Sequence, residues 1–296
     1  RGAVDVHDDS RFAVIPPGVN RQVFSPDPEA EALDAAIQTR LEAALARDLS
    51  AERQNLPLVV CSSRLDHKKN HLGVVKAFVA SPELQAVANL AIVVRGLDDP
   101  LRQRERLSGE ERTILDQIVG LLAEHNLTNL LTAFPLNSQA ELAAAYRLAA
   151  ARRSVFALTA HYEPFGLAPL EAMSCGLPAV VTRNGGPAES MVDRQSGREY
   201  GVLVDPANPA DIAGGLLKVL SSSSAWERYH QAGLERVISR YTWTRTAEGY
   251  LGAIQQALTT PDPAAHTTKL LIPAYFTRPT PENELGLAEL AKLYLS

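Results

Sequence analysis

The sequence predicts an α/β protein, a parallel sheet with helices on both faces. Three observations lead there. Short β-branched runs recur at 12–15, 58–61, 90–94, 130–134, 155–158, 179–182 and 201–204. They are continuous rather than alternating, the pattern of strands buried on both faces. Helical periodicity fills the gaps: Val74, Val75, Phe78 and Val79 share one face, as do Ile114, Ile118, Leu121 and Leu122. Strand therefore alternates with helix, an order that makes neighbouring strands parallel with right-handed crossovers.

Taken in order, residues 1–50 read as a linker strand and an inserted helix leading into the domain, with Pro28 at the first helical position, where no N–H is needed. Residues 51–260 carry the remaining six runs and form the main domain. Within it, Ser138-Gln-Ala-Glu141 is a capping-box sequence that opens a helix to about 149. Further helices are expected over 209–220, 225–239 and 244–258. A Pro- and Thr-bearing break at 259–266 is followed by an apolar run at 271–276 and a short helix near 282–295. Residues 261–296 make a tail too small to fold alone, so it must dock elsewhere. There is no internal repeat and no low-complexity segment.

Composition narrows the function. Of 296 residues, 46% are hydrophobic and 21% charged, enough apolar content for a full core, and the net charge is −5. No basic stripe with interleaved aromatics is present, which argues against a nucleic-acid partner. Two cysteines, Cys61 and Cys175, make no disulfide framework and read as small core residues. No apolar stretch approaches a membrane span, so no membrane partner is expected. The first ten residues are polar and acidic rather than a secretory leader, so a cytoplasmic location is expected. The chain starts at Arg1 rather than Met and reads as beginning inside a longer protein.

Ligands on parallel sheets bind at the carboxyl ends of the strands, so the turns there are the places to look. After 58–61 comes Ser62-Ser-Arg64-Leu-Asp-His-Lys-Lys69-Asn70, with a helix starting at about Asn70. A helix N-terminus offers free amides and partial positive charge, which suits a phosphate. Arg64 brings a forked contact and Lys69 a point charge. A solvated basic turn fits the same residues.

After 155–158 comes Thr159-Ala-His-Tyr-Glu163-Pro-Phe-Gly-Leu-Ala-Pro-Leu-Glu171. Pro164 disfavours helix at Glu163. Gly166 permits close approach of backbone to ligand, and a helix then carries Glu171 inside. Its apolar neighbours imply partial burial, and a buried carboxylate needs partners, which the vicinal hydroxyls of a ribose would supply. Local capping by Glu171 and a surface role for Glu163 are the plainer alternatives. After 179–182, Arg183-Asn184-Gly185-Gly186-Pro187 permits a tight turn, and equally fits an ordinary strand-to-helix connection.

Some motifs are missing from the sequence. There is no Gly-x-Gly-x-x-Gly after a strand and no Gly-x4-Gly-Lys-Ser/Thr, which argues against dinucleotide oxidoreductases and P-loop NTPases. No two aspartates are spaced i, i+2, the usual clamp for a metal-bound diphosphate. A diphosphate would then be neutralised by protein cations and helix ends. His67 and His71 are four apart but have no third ligand in view, so no metal site is expected.

Together these residues resemble a known family. Glu163-x7-Glu171, preceded by Arg64-x4-Lys69, is similar to the retaining GT-B glycosyltransferases of glycosyltransferase family 4 (GT4). The likeness is closer still to sucrose-phosphate synthases of the bacterial type. The stretches that carry it are IPPGVN (15–20), SSRLDHKKNH (62–71), FPLNSQAELA (134–143), SVFALT (154–159), EPFGLAPLEAM (163–173), GLPAVVTRNGGPAE (176–189) and IPAYFTRP (272–279). The sequence departs from the plant type at Leu65 and His67, where prolines are common.

The resemblance implies one Rossmann-like half of a GT-B fold: the donor-binding half, with a C-terminal tail crossing to an N-terminal domain absent from this sequence. It implies transfer of glucose from UDP-glucose to fructose 6-phosphate with retention, and no required cofactor. By the same resemblance Arg64 and Lys69 hold the donor diphosphate, and Glu163 contacts the transferred hexose without acting as a covalent nucleophile. Glu171 binds the ribose. Phe165, Gly166 and Leu167 offer backbone amides to sugar and phosphate, and Leu136 and Gly96 fall at the base pocket. The rival readings are a mannosylfructose-phosphate synthase using GDP-mannose, another specificity of the same family, a nucleotide-sugar epimerase, and a non-catalytic nucleotide-sugar-binding module.

Overall fold

A computed structural model of the chain describes residues 13–27, 31–259, 278, 280–284, 286 and 288–289. The chain divides into a larger unit, Pro17–Arg245, and a smaller one formed by the stretches before and after it.

The larger unit opens with helix α1 (Glu31–Asp48) and then alternates: β1 (Leu58–Cys61), α2 (His71–Ala80), α3 (Pro82–Val87), β2 (Asn89–Val93), α4 (Gly109–Glu124), β3 (Leu131–Phe134), α5 (Gln139–Ala151), β4 (Val155–Leu158), α6 (Leu167–Ser174), β5 (Ala179–Thr182), α7 (Pro187–Ser190), β6 (Val202–Val204), α8 (Pro209–Leu220), α9 (Ser223–Arg240) and the start of α10 (Trp243–Thr259). Six strands pair in parallel in the order β3-β2-β1-β4-β5-β6. Nearly every strand residue is buried, as continuous apolar runs require. Helix α2 packs against both α4 and α8, α1 packs with α5, and α9 packs with α6 and α8.

Two helix starts show how local sequence sets the boundaries. Ser138 Oγ accepts the Glu141 amide at 3.1 Å, as the capping box requires. The reciprocal arm differs: Glu141 accepts from the Asn137 amide at 2.7 Å and pairs with Arg40 at 3.2 Å. Ser81 caps α3, a short helix the periodicity did not reveal, with Pro82 at its first position.

The strand expected at 12–15 does not form: residues 13–15 belong to no strand, and Phe12 lies outside the described residues. Pro16 and Pro17 follow directly and remove two successive amide donors, which ends any ladder there. Pro28 and the apolar run at 271–276 also lie outside the described residues, as does most of the helix expected near 282–295. Cys61 and Cys175 are buried and free, and burial pushes each thiol up to about 12. Among the described residues no helix is long and apolar enough to cross a membrane. In the smaller unit, Thr246 Oγ1 donates to the Pro16 carbonyl at 2.8 Å, and Gly249 lies against Ile15.

Candidate functional site

Strands β1 and β4 are neighbours in the sheet but not in sequence. The chain builds outward from β1 to β3, then returns to pair β4 on the other side of β1. Loops leaving such a pair diverge to opposite faces and open a crevice at the carboxyl edge. The two richest sequence motifs follow these two strands.

The loop after β1 ends in a single 3-10 turn, His67–Lys69, capped by Asp66, whose Oδ1 accepts the Lys69 amide at 2.9 Å. Asn70 then takes a left-handed conformation at φ 55°, which asparagine tolerates, and caps α2 by accepting the Gly73 amide at 3.2 Å. Its side-chain amide donates to the carbonyls of Thr159 and Pro206, both at 2.9 Å. Thr159 Oγ1 donates back to the Asn70 carbonyl at 3.1 Å. Asn70 thus fixes the β1 loop to the loops after β4 and β6.

The loops after β4 and β5 are joined in turn. The His161 amide donates to the Lys68 carbonyl at 2.9 Å, and the Glu163 amide to the Asn184 carbonyl at 3.1 Å. Gly186 N donates to the Glu163 carbonyl at 2.9 Å, and Asn184 Nδ2 to the His161 carbonyl at 2.9 Å. Gly185 sits at φ 100°, and a Cβ there would lie 2.1 Å from the Glu163 carbonyl oxygen; a Cβ on Gly186 would lie 2.5 Å from Phe165. Both glycines are therefore required by close approach, and the third motif is part of the same site.

Within this frame Lys69 Nζ lies 2.7 Å from Glu163 Oε2, with the two side chains only 22% and 12% exposed. Arg64 is 83% exposed, and its nearest carboxylate is Asp66 at 3.7 Å. Gly166 starts α6 at φ 88° and offers no side-chain cap, which leaves the first amides of that helix without a side-chain acceptor. Phe165 is half-buried with its ring 6.2 Å from that of Tyr241, and Leu167 is exposed.

Glu171 lies on α6, half-buried. Burial alone raises its pKa, and no described residue donates a hydrogen bond to it. Its charge is felt by the phenol of Tyr146, which is pushed up chiefly by its own burial and lies 2.7 Å from Ser62 Oγ. Gly96, at φ 77° after β2, is exposed with open space where a Cβ would be. Leu136, after β3, is buried in the core cluster rather than presented to solvent.

His67 and His71 diverge. His67 lies 3.8 Å from Glu110 at the surface, whereas His71 is buried behind the loop with Nε2 3.3 Å from Ser63 Oγ, and burial lowers its pKa to about 4. Among the described residues no group of three or more His, Cys, Asp or Glu could hold a metal ion. Sequence reasoning missed Asn70, His71 and Tyr146 as members of the site. For Asn70 a signal existed: an asparagine between a basic turn and a helix start is both a cap and a left-handed residue.

The structure thus brings Lys69 and Glu163 together where β1 and β4 pair, with Arg64 on the β1 loop and Glu171 on the helix after β4. The family profile described as Glycosyl transferases group 1 matches residues 43–236. The chain belongs to this family. This group 1 glycosyltransferase is 34% identical over 255 residues to a probable sucrose-phosphate synthase of Thermosipho melanesiensis, which covers 86% of this chain and 50% of the relative. It is 33% identical over 248 residues to a sucrose synthase of Nitrosomonas europaea, covering 81% of this chain and 31% of that one. Among solved structures, sucrose-phosphate synthase from Thermosynechococcus elongatus superposes with a TM-score of 0.58 at 27% identity, covering 82% of this chain and 52% of the other. The chain spans about half or less of the length of these relatives. The Rossmann-like sheet expected from the motifs is the sheet observed, and it matches GT-B neighbours.

Proposed function

We propose that this chain supplies the nucleotide-sugar donor site of a retaining glycosyltransferase of the sucrose-phosphate synthase type, which moves glucose from UDP-glucose to fructose 6-phosphate. The observation that carries the reading is the Lys69–Glu163 pair, set by interlocked loops at the switch point, with the mostly exposed Arg64 on the same loop as Lys69. Arg64 and Lys69 hold the diphosphate, aided by the amides of Phe165, Gly166 and Leu167 at the start of α6. The half-buried Glu171 carboxylate, lacking a donor of its own, accepts from the ribose hydroxyls. Glu163 positions the hexose, and the base lies toward Gly96 and Leu136.

Negative charge grows on the leaving diphosphate as the sugar bond breaks. In this reading Arg64, Lys69 and the helix amides stabilise that charge. Glu163 is engaged with Lys69 and acts by orientation rather than covalent attack. The leaving phosphate assists deprotonation of the acceptor on the same face. With protein cations in place, donor binding needs no metal.

A second reading rests on the 33% identity to a sucrose synthase, and in it the acceptor is fructose itself. The test has two stages. UDP and UDP-glucose should raise the melting temperature of the chain, whereas GDP and GDP-mannose should not; the reverse result would assign the donor to GDP-mannose. Joined to the remaining half of the Thermosipho melanesiensis relative, the chain should then transfer glucose to fructose 6-phosphate. Transfer to fructose alone would favour the second reading, and no transfer with either acceptor would contradict both.

A further inference from the structure

We propose that Glu163 makes the site discriminate against the bare nucleoside diphosphate, so that it retains the sugar-bearing donor and expels the product left after transfer. The inference rests on the donor-site reading above and goes beyond it.

The geometry is specific. Lys69 Nζ and Glu163 Oε2 meet at 2.7 Å across loops 94 residues apart. Among the described residues, Lys69 gives the Glu163 carboxylate its only hydrogen bond. Neither backbone is free to swing. Lys69 N is held by Asp66, and Glu163 is bonded on both sides, through its amide to Asn184 and through its carbonyl to Gly186. The anchored backbones keep the carboxylate within reach of Lys69. Arg64 is mostly exposed, 3.7 Å from Asp66.

Consider the two ligands that meet this arrangement. In a sugar-linked diphosphate the terminal phosphate is esterified, carries one charge, and brings hexose hydroxyls that can donate to Glu163. In the bare diphosphate that phosphate has a second ionisation near pH ~6, so at neutral pH it carries most of an additional negative charge. It brings no hydroxyl donor. The same carboxylate thus accepts from the sugar and repels the terminal phosphate, while Lys69, shared with that carboxylate, offsets only part of the added charge.

The test is titration calorimetry on the chain with UDP and with UDP-glucose, comparing wild type, Glu163→Gln and Glu163→Asp. Glu163→Gln should bind UDP about 5- to 20-fold more tightly and UDP-glucose no more tightly. Glu163→Asp, which keeps the charge, should bind UDP within about 3-fold of wild type. Glu163→Ala removes the same charge by another route and should move UDP affinity in the same direction as Gln. Unchanged or weaker UDP binding in both neutral variants would overturn the inference, as would equal tightening for both ligands. A wild type that binds neither UDP nor UDP-glucose, nor GDP nor GDP-mannose, would remove the donor-site reading and this inference with it. Wild-type binding of both ligands without tightening of UDP in the neutral variants would remove this inference alone.

Discussion

The hydroxyl of Ser62 lies 2.7 Å from the phenolic oxygen of Tyr146. This contact ties the first residue after β1 to α5. Arg64 follows β1 and Glu171 lies on the helix that follows β4, and those two strands are paired neighbours in the sheet. The proposed site depends on that convergence, and the predictions below probe its parts.

Gly185→Ala should break the loop that fixes Glu163. The new Cβ would fall 2.1 Å from the Glu163 carbonyl oxygen, at a φ of 100° that alanine adopts with strain. The cost should be about 2–4 kcal/mol, read by chemical denaturation, with a parallel loss of UDP affinity. Wild-type stability and affinity would show that the loop relaxes without consequence.

Asn70→Asp should keep the left-handed backbone but lose both hydrogen bonds that the amide donates to Thr159 and Pro206. A carboxylate facing two carbonyls should cost about 1–3 kcal/mol. Asn70→Gly, which retains the backbone and drops the clamp without placing charge there, should be milder. If both variants bind UDP as wild type does, the clamp does not set the site.

Glu171→Gln should trade binding for stability. Burial raises the Glu171 pKa, so the folded chain holds the proton where the unfolded chain releases it. Stability from this group is present below the ordinary glutamate value of 4.5 and is lost as pH rises through the higher folded value. Glutamine stays neutral, so the variant should melt higher than wild type at pH 7.5, by on the order of a degree, and show no gain below about pH 4.5. UDP affinity at pH 7.5 should fall about 10-fold. A variant less stable than wild type at pH 7.5 would contradict the burial argument.

Much of this was legible beforehand. The runs at 58–61, 155–158 and 179–182 became β1, β4 and β5 with their bounds unchanged, because two-sided burial leaves an uninterrupted apolar signature. The run at 12–15 has the same composition and is not a strand, because a strand also needs a partner and amide donors, and Pro16 and Pro17 supply neither. The side chains of the site were readable as types, but their pairing was not. Nothing in the spacing says that Lys69 meets Glu163 rather than Glu171, since that depends on the close approach of three loops. Leu136 shows the opposite limit: it follows β3, yet its side chain is buried in the core, which its position in the sequence does not reveal.

The most direct measurement is calorimetric titration of UDP-glucose, in EDTA, into the wild-type chain and Arg64→Ala. Arg64 is 83% exposed, so its removal should leave the melting temperature unchanged. The account predicts saturable binding by wild type without metal, weakened about 10- to 100-fold in Arg64→Ala by loss of charge-assisted hydrogen bonds. Equal affinity in the two proteins, or wild-type binding that EDTA abolishes, would contradict it.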